Sequence, residues 1–232
     1  MRWLKSSGAG GQFVTRYKRK AGPEKLAAAA RAAGVADPLV LDAMRHTPRA
    51  AFVHAAYADL AYDDAPVPIP RQQVTTQPSL CATMIAALRL DGAQQVLEVG
   101  TGYGYQTALL ARLAARVVSV EIWPDLAGQA RRNLVAQGIG NVVVIVGDGS
   151  QGAPGHAPLD AVVVCAAFPR VPPPLAAQLR TGGRLVQPVG PGGAEDVVLY
   201  EKDADGLRRV RALTGASFVP LHGRYGFPQP AA

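Results

Sequence analysis

The stretch Val96-Leu97-Glu98-Val99-Gly100-Thr101-Gly102-Tyr103-Gly104-Tyr105-Gln106, followed by the apolar run Val117–Val120 closing on Glu121, decides the fold. It reads as a strand, a glycine turn and the start of a helix, then a second strand that ends in a carboxylate. In an α/β sheet this arrangement places a nucleoside-type cofactor over the strand ends, with the carboxylate on its ribose. Two details separate the candidate cofactors. Tyr105 stands where a dinucleotide fingerprint wants its third small residue, and Glu98 precedes the turn. A pyrophosphate gains nothing from a neighbouring carboxylate, whereas a cationic sulfonium amino acid does. S-adenosylmethionine therefore fits the loop better than NAD. A glycine turn needed only for backbone geometry does not account for Glu98 and Glu121 together.

Outward from this stretch the pattern alternates. Strands are expected at Val96–Val99, Val117–Glu121, Val142–Val146, Ala161–Cys165, Arg184–Pro188 and Val197–Glu201, with one or two more between Arg208 and Phe218 at an antiparallel edge. Their near-continuous valine runs suit strands buried on both faces of a parallel sheet. Helices are expected at Tyr105–Leu113 and at Pro124–Gln137, the latter with Pro124 at a first position and Gly138 as a stop. A short helix over Leu175–Leu179 is expected to be capped by Gly182 and Gly183. Upstream, the alanine-rich Pro23–Ala33 reads as a helix ending at Gly34, and Pro38–Arg45 as a second with Leu39, Val40, Ala43 and Met44 on its apolar face. Leu80–Leu88 is a third. The segment Ala61–Arg71, holding Pro66, Pro68 and Pro70, is expected to be a loop without an element.

The composition supports one domain over 23–232, divided into a helical and substrate-loop part at 23–90 and a cofactor-binding core with C-terminal strands at 91–232. With 232 residues and 49% hydrophobic content the chain can bury a core without disulfides. Cys81 and Cys165 lie in apolar runs, lack metal spacing, and suit a reducing cytoplasm. No charge-free stretch reaches the length of a membrane span, and there is no signal-peptide block. The net charge of +7 comes mostly from residues 1–25, where seven cationic side chains face only Glu24. Residues 1–22 read as a solvated, flexible basic leader. The remaining chain carries no nucleic-acid signature. The histidines His46, His54, His156 and His222 are scattered without metal spacing and read as surface or capping residues.

With these segments placed, the chain resembles the protein-L-isoaspartate (D-aspartate) O-methyltransferases from about Ala32 to Phe227. The resemblance rests on Val40–Met44 with Pro48-Arg49 and Phe52-Val53, on Ala61-Tyr62 with Pro66–Ile69, and on Gln77-Pro78. It continues through the Val96–Gln106 turn, Val118–Glu121, Val144–Gly149, Ala157-Pro158 with Asp160-Ala161, Leu179–Pro188 and Phe218–Leu221. The glycine turn is shared by many methyltransferases; the Tyr62–Pro78 segment and the Phe218–Leu221 ending are much more specific to this family. The resemblance implies an α/β fold: a seven-stranded, mostly parallel, Rossmann-like methyltransferase sheet with the last strand antiparallel, plus N-terminal helices. It also implies methyl transfer from S-adenosylmethionine, without a metal, to the abnormal carboxylate of an isoaspartyl residue. The ester then collapses to a succinimide that can reopen to normal aspartate. Damaged proteins and peptides are the implied partners, and a cytoplasmic monomer without membrane or nucleic-acid partners is expected.

The same resemblance assigns roles. Gly100, Thr101, Gly102 and Gly104 approach the cofactor, Glu98 lies near its methionyl end, and Glu121 with Ile122 holds the ribose, a carboxylate offering two acceptor oxygens. Asp148 with Gly149 takes the adenine-contacting position, with a plain Asp-Gly turn as the rival reading. Gln73–Pro78 aligns with the family's Gln-Thr-Ile-Ser-Gln/Ala-Pro, which matches Thr76 to the active-site serine. The hydroxyl survives on a stiffer side chain. Thr75 replaces the usual isoleucine, and Ser79 stands where many relatives carry histidine or tyrosine. Thr75 and Ser79 fall at the substrate mouth and Gln77 is a substrate-binding position, while Val219 and Pro220 correspond to a strand beside the bound peptide. For Thr75 and Thr76 the rival reading is a helix cap. An ionised carboxylate needs alignment and exclusion of water rather than a general base, so no Ser-His-Asp set is called for. Two alternatives to damaged-protein repair stay open: an aspartyl methyltransferase with a dedicated peptide precursor, and a non-catalytic isoaspartyl-binding adaptor.

Overall fold

Valine-rich runs form the parallel part of a seven-stranded sheet in the computed structural model, which describes residues 22–228. The basic leader, Gly22 excepted, lies outside the described residues. The strands are β3 (Gln95–Val99), β4 (Arg116–Glu121), β5 (Val142–Val146), β6 (Leu159–Val164), β7 (Leu179–Val189), β8 (Glu195–Asp203) and β9 (Gly206–Ala216), in spatial order β5-β4-β3-β6-β7-β8-β9. β3 through β7 are mutually parallel; β8 pairs antiparallel with β7 and with β9. The antiparallel strand is therefore the penultimate one, not the last as the resemblance implied. β9 returns to the common direction at the sheet edge.

Strand alternation divides the core. Val96, Val117, Ala161, Val163 and Val186 pack with Leu26, Met44, Ile85 and Leu109 from the helices at 22–32 (α1), Pro38–His46 (α2), Pro78–Leu88 (α3) and Tyr105–Leu113 (α4). Leu97, Val99, Val118, Val120, Val162, Val164 and Leu185 face the other way, toward Leu175 of α6 (Pro173–Gln178) and Leu221. Past α5 (Pro124–Ala136) the φ of 67° at Gly138 turns the chain so that the Ile139 N–H reaches back to the carbonyl of Leu134. The valine run of β5 is not buried on both faces: it forms the opposite edge, with Val143 and Val146 exposed.

Three local expectations differ from the structure. Leu39 of α2 is exposed, and Leu41 takes its place in the core. Gly182 and Gly183 do not cap α6; they lie inside β7, where the pairing with β6 shifts between Leu159 and Ala161. The proline-rich loop contains β1 (Val67–Ile69), which forms an antiparallel ribbon with β2 (Gln73–Thr75). Pro68 is tolerated because a two-stranded ribbon has free outer edges.

Candidate active site

The parallel strands end together, and the strand order reverses between β3 and β6, which is where open α/β sheets receive ligands. A cleft opens at that point. Its floor is Val99–Gln106, Val120–Trp123, Gly149 and Cys165-Ala166; its sides are Ile69 and Gln73–Thr76 from the β1–β2 ribbon and Val219–His222 from the C-terminal segment. Thr75, Thr76, Gly100, Thr101, Gly102, Gly104, Glu121, Ile122, Gly149, Val219 and Pro220 are thus brought to one cavity. The turn needs its glycines: Gly100 and Gly104 have φ of 95° and 92°, a region that costs any residue with a Cβ.

Glu121 closes β4 at the cleft wall. Its Oε2 accepts the Gly102 N–H at 2.8 Å and its Oε1 the Trp123 N–H at 3.0 Å. Burial pushes its carboxyl up, against the pull of these backbone donors. Each oxygen keeps a second lone pair, so the group can still accept from two hydroxyls.

Glu98 lies beneath the turn, fully buried and behind the cleft wall. Its Oε2 accepts from Thr107 Oγ1 at 2.5 Å and Ser119 Oγ at 2.6 Å, and Ser119 also bonds Thr101 Oγ1 at 2.6 Å. Burial raises its pKa to about 7, more than these hydroxyl donors lower it. Glu98 Oε1 and Gln106 Oε1 are buried acceptors without a partner among the described residues. An ammonium or sulfonium at the cleft floor would meet that need, whereas a phosphate would not. The residues present therefore fit S-adenosylmethionine.

Asp148 falls elsewhere. Its Oδ1 accepts from the N–H and Oγ of Ser150 at 2.9 and 2.6 Å, and its Oδ2 from Gln151 Nε2 at 3.0 Å and the Arg224 N–H at 2.8 Å. Burial opposes its ionisation, yet the Arg224 and Ser150 donors hold its pKa below the usual value. The carboxylate staples the C-terminal segment, the turn reading of that position, and leaves Gly149 alone at the cleft. Thr75 and Thr76 do not cap α3. The N-cap is Gln77 without a side-chain bond, and Asp64 instead accepts the Ser79 N–H at 2.8 Å.

A second groove adjoins the first. Gln77, then Ser79, Leu80 and Thr83 of α3, and Leu213–Val219 line it, and it shares Val74, Thr76, Cys165 and Val219 with the cleft. Thr76 therefore stands where the two cavities meet.

Sequence reasoning gave no role to several residues gathered here: Arg49 behind Thr75, Tyr103 and Trp123 on the cleft wall, and Gln106, whose Nε2 donates to Cys165 Sγ at 2.8 Å. Pro48-Arg49 stood in a matched segment, which was the only signal for Arg49. His222 lines the cleft rather than the outer surface, while His54 does cap, accepting the Ala56 N–H at 3.2 Å. Burial pushes the Cys81 thiol up to about 12 and Cys165 well above its ordinary value, so both stay protonated. Among the described residues no cluster of His, Cys, Asp and Glu is arranged to hold a metal, and no helix is long and apolar enough to cross a membrane.

The family profile described as Protein-L-isoaspartate(D-aspartate) O-methyltransferase (PCMT) matches residues 21–226. A Methanoculleus marisnigri protein named protein-L-isoaspartate O-methyltransferase is 49% identical over 197 residues, covering 85% of this chain and 89% of its own length. A solved protein-L-isoaspartate O-methyltransferase superposes with a TM-score of 0.79 at 29% identity, covering 88% of this chain and 67% of that one. A putative Plasmodium falciparum counterpart, solved in complex with S-adenosyl-L-homocysteine, shares the fold with a TM-score of 0.74 at 20% identity over 87% of this chain and 98% of that one. On this agreement across nearly all the described residues, the chain belongs to the protein-L-isoaspartate (D-aspartate) O-methyltransferase family.

Proposed function

We propose that the chain repairs damaged cytoplasmic proteins by methylating the carboxylate of L-isoaspartyl and D-aspartyl residues. The observation that carries this reading is the meeting of two cavities at Thr76. One has the glycine turn and Glu121 suited to an adenosyl donor; the other is a groove open to a peptide. When bound, S-adenosylmethionine supplies a methyl group on a positively charged sulfur, so that an acid oxygen forms the new C–O bond as the C–S bond breaks and its electron pair stays on sulfur.

The chain's own residues do the rest by position. Glu121 accepts the ribose hydroxyls, and the backbone at Gly100–Gly104 gives close approach. Gln106 on the cleft floor would present an acceptor to the cationic end, with the buried Glu98 carboxyl behind the wall. Ile122, Trp123 and Gly149 line the cleft where they would hold the adenosyl group. Thr76 Oγ1 would donate to one acid oxygen and leave the other free to take the methyl group. Gln77 lines the peptide side, and Val219 with Pro220 runs beside the peptide backbone. Because the acceptor is already ionised, no residue has to remove a proton; alignment and a dry site carry the rate.

The test is paired labelling. With labelled cofactor, an isoaspartyl peptide is expected to yield a base-labile methyl ester and its normal aspartyl counterpart none. Equal labelling of both, or of neither, rejects the reading.

A further inference from the structure

Arg49 has no exposed surface, yet among the described residues it makes no ion pair. Burying an unpaired guanidinium is costly, and here it is held by carbonyls. Nη1 donates to the carbonyls of Asp63 at 3.0 Å and Ala61 at 3.4 Å, and Nη2 to the Ala65 carbonyl at 2.8 Å and Thr75 Oγ1 at 2.8 Å. Nε has no partner. The nearest acids are engaged elsewhere: Asp63 with Lys25 at 2.8 Å, and Asp64 with the Ser79 N–H and with Gln77 Nε2 at 2.9 Å. The guanidinium carbon lies 5.8 Å from the Tyr105 ring centroid, and Tyr105 and Thr75 both line the cleft. A positive charge thus sits one side chain behind the cleft wall, beside the residue that precedes Thr76.

We propose that Arg49 is the positioning residue of the acceptor site: through Thr75 it fixes the register of Thr76, and its unpaired charge favours an ionised acid over a neutral acceptor. The inference rests on the methyl-transfer reading above. The Thr75 contact is a property of this sequence, since the isoleucine expected at that position could not accept the bond. The field should act on binding rather than on chemistry. Carboxylate and sulfonium lose their opposite charges together as the methyl moves, so a nearby cation stabilises the bound acid more than it alters the barrier.

The experiment compares Arg49→Gln, Arg49→Lys, Thr75→Val and Thr75→Ser in the full chain. It measures kcat and KM for an isoaspartyl peptide and the inhibition constant of the matching isoasparaginyl amide, with circular dichroism and S-adenosylhomocysteine calorimetry reporting folding and cofactor binding. Arg49→Gln should raise KM for the acid on the order of tenfold while leaving the amide's inhibition constant and cofactor affinity in place. Arg49→Lys should restore the acid-over-amide preference. Thr75→Val should keep that preference but lower kcat about tenfold, with Thr75→Ser rescuing it. A folded Arg49→Gln that keeps the full acid-over-amide preference overturns the proposal, as does a Thr75→Val variant with wild-type kcat. If Arg49→Gln does not fold, the Thr75 pair decides. A wild-type chain that labels no isoaspartyl peptide would instead defeat the methyl-transfer reading itself.

Discussion

Replacing Glu121 by glutamine separates its two tasks, stapling the turn and holding the ribose. The glutamate satisfies two backbone donors, Gly102 N–H and Trp123 N–H, one on each oxygen. Glutamine offers one acceptor oxygen and one amide nitrogen that is itself a donor. One buried N–H therefore loses its partner, at about 1–3 kcal/mol. Removing a carboxylate that burial disfavours offsets part of this. For a chain of this size each kcal/mol shifts Tm by about 2–4 °C, so a fall of at most about 2–12 °C, less that offset, is expected. The ligand effect should be larger. A hydroxyl loses a charged acceptor, at about 1.5–3 kcal/mol, which corresponds to about 10–150-fold in Kd. Calorimetric titration with S-adenosylhomocysteine, run beside melting of the ligand-free protein, reads both quantities. A folded Glu121→Gln variant that binds within about threefold of wild type would show that the carboxylate serves the turn alone, and the assignment of the ribose to it would fail.

Thr76→Ser should retain or raise turnover, because the hydroxyl stays and a methyl group leaves the junction of the two cavities. Thr76→Val should lower kcat by about 10–100-fold with cofactor affinity little changed, and full ester formation by the valine variant would remove Thr76 from the reaction. Glu98, whose pKa rises from 4.5 to about 7 on folding, makes the folded chain bind more protons than the unfolded one between those values. Its contribution is therefore fully present below 4.5 and is lost as pH rises to about 7. Denaturation midpoints at pH 5 and pH 8 should show this fall in wild type and not in Glu98→Gln; parallel profiles would contradict it. A cationic ligand favours the ionised form, so cofactor binding at about pH 6 should release a proton to buffer in wild type only.

The sequence was most legible where structure is local. The run from Val96 to Gln106 shows its strand, turn and helix because period, glycine and helix start follow one another within a few residues, and Glu121 is found by counting to the end of the next strand. Pairing order is not local. Nothing in Val197–Glu201 alone tells whether the strand lies at the edge or one place in, and the antiparallel member of the sheet was accordingly misplaced. The β1–β2 ribbon was hidden for a different reason: Pro68 argues against a strand unless its neighbour lies on one side only, which is known once Val74 is seen opposite it.

In the site, the same distinction separates Asp148 from Arg49. An acid after a core strand has the right address for a nucleoside, but what it does depends on which donors arrive. Asp148 receives the Arg224 N–H from 76 residues away, so its lone pairs are spent before any ligand comes. Arg49 is the reverse case, a residue with no address in a motif. Its bond to Thr75 spans 26 residues and exists only because the ribbon folds back against Arg49, with the Ala65 carbonyl and Thr75 Oγ1 sharing one guanidinium nitrogen. A charge is informative when its nearest opposite charges are occupied by others, and that condition is a property of packing. It can be read only after Asp63 is seen on Lys25 and Asp64 on Ser79. Buried cations without a paired opposite charge are therefore the residues through which a folded site can express a preference that its motif does not spell.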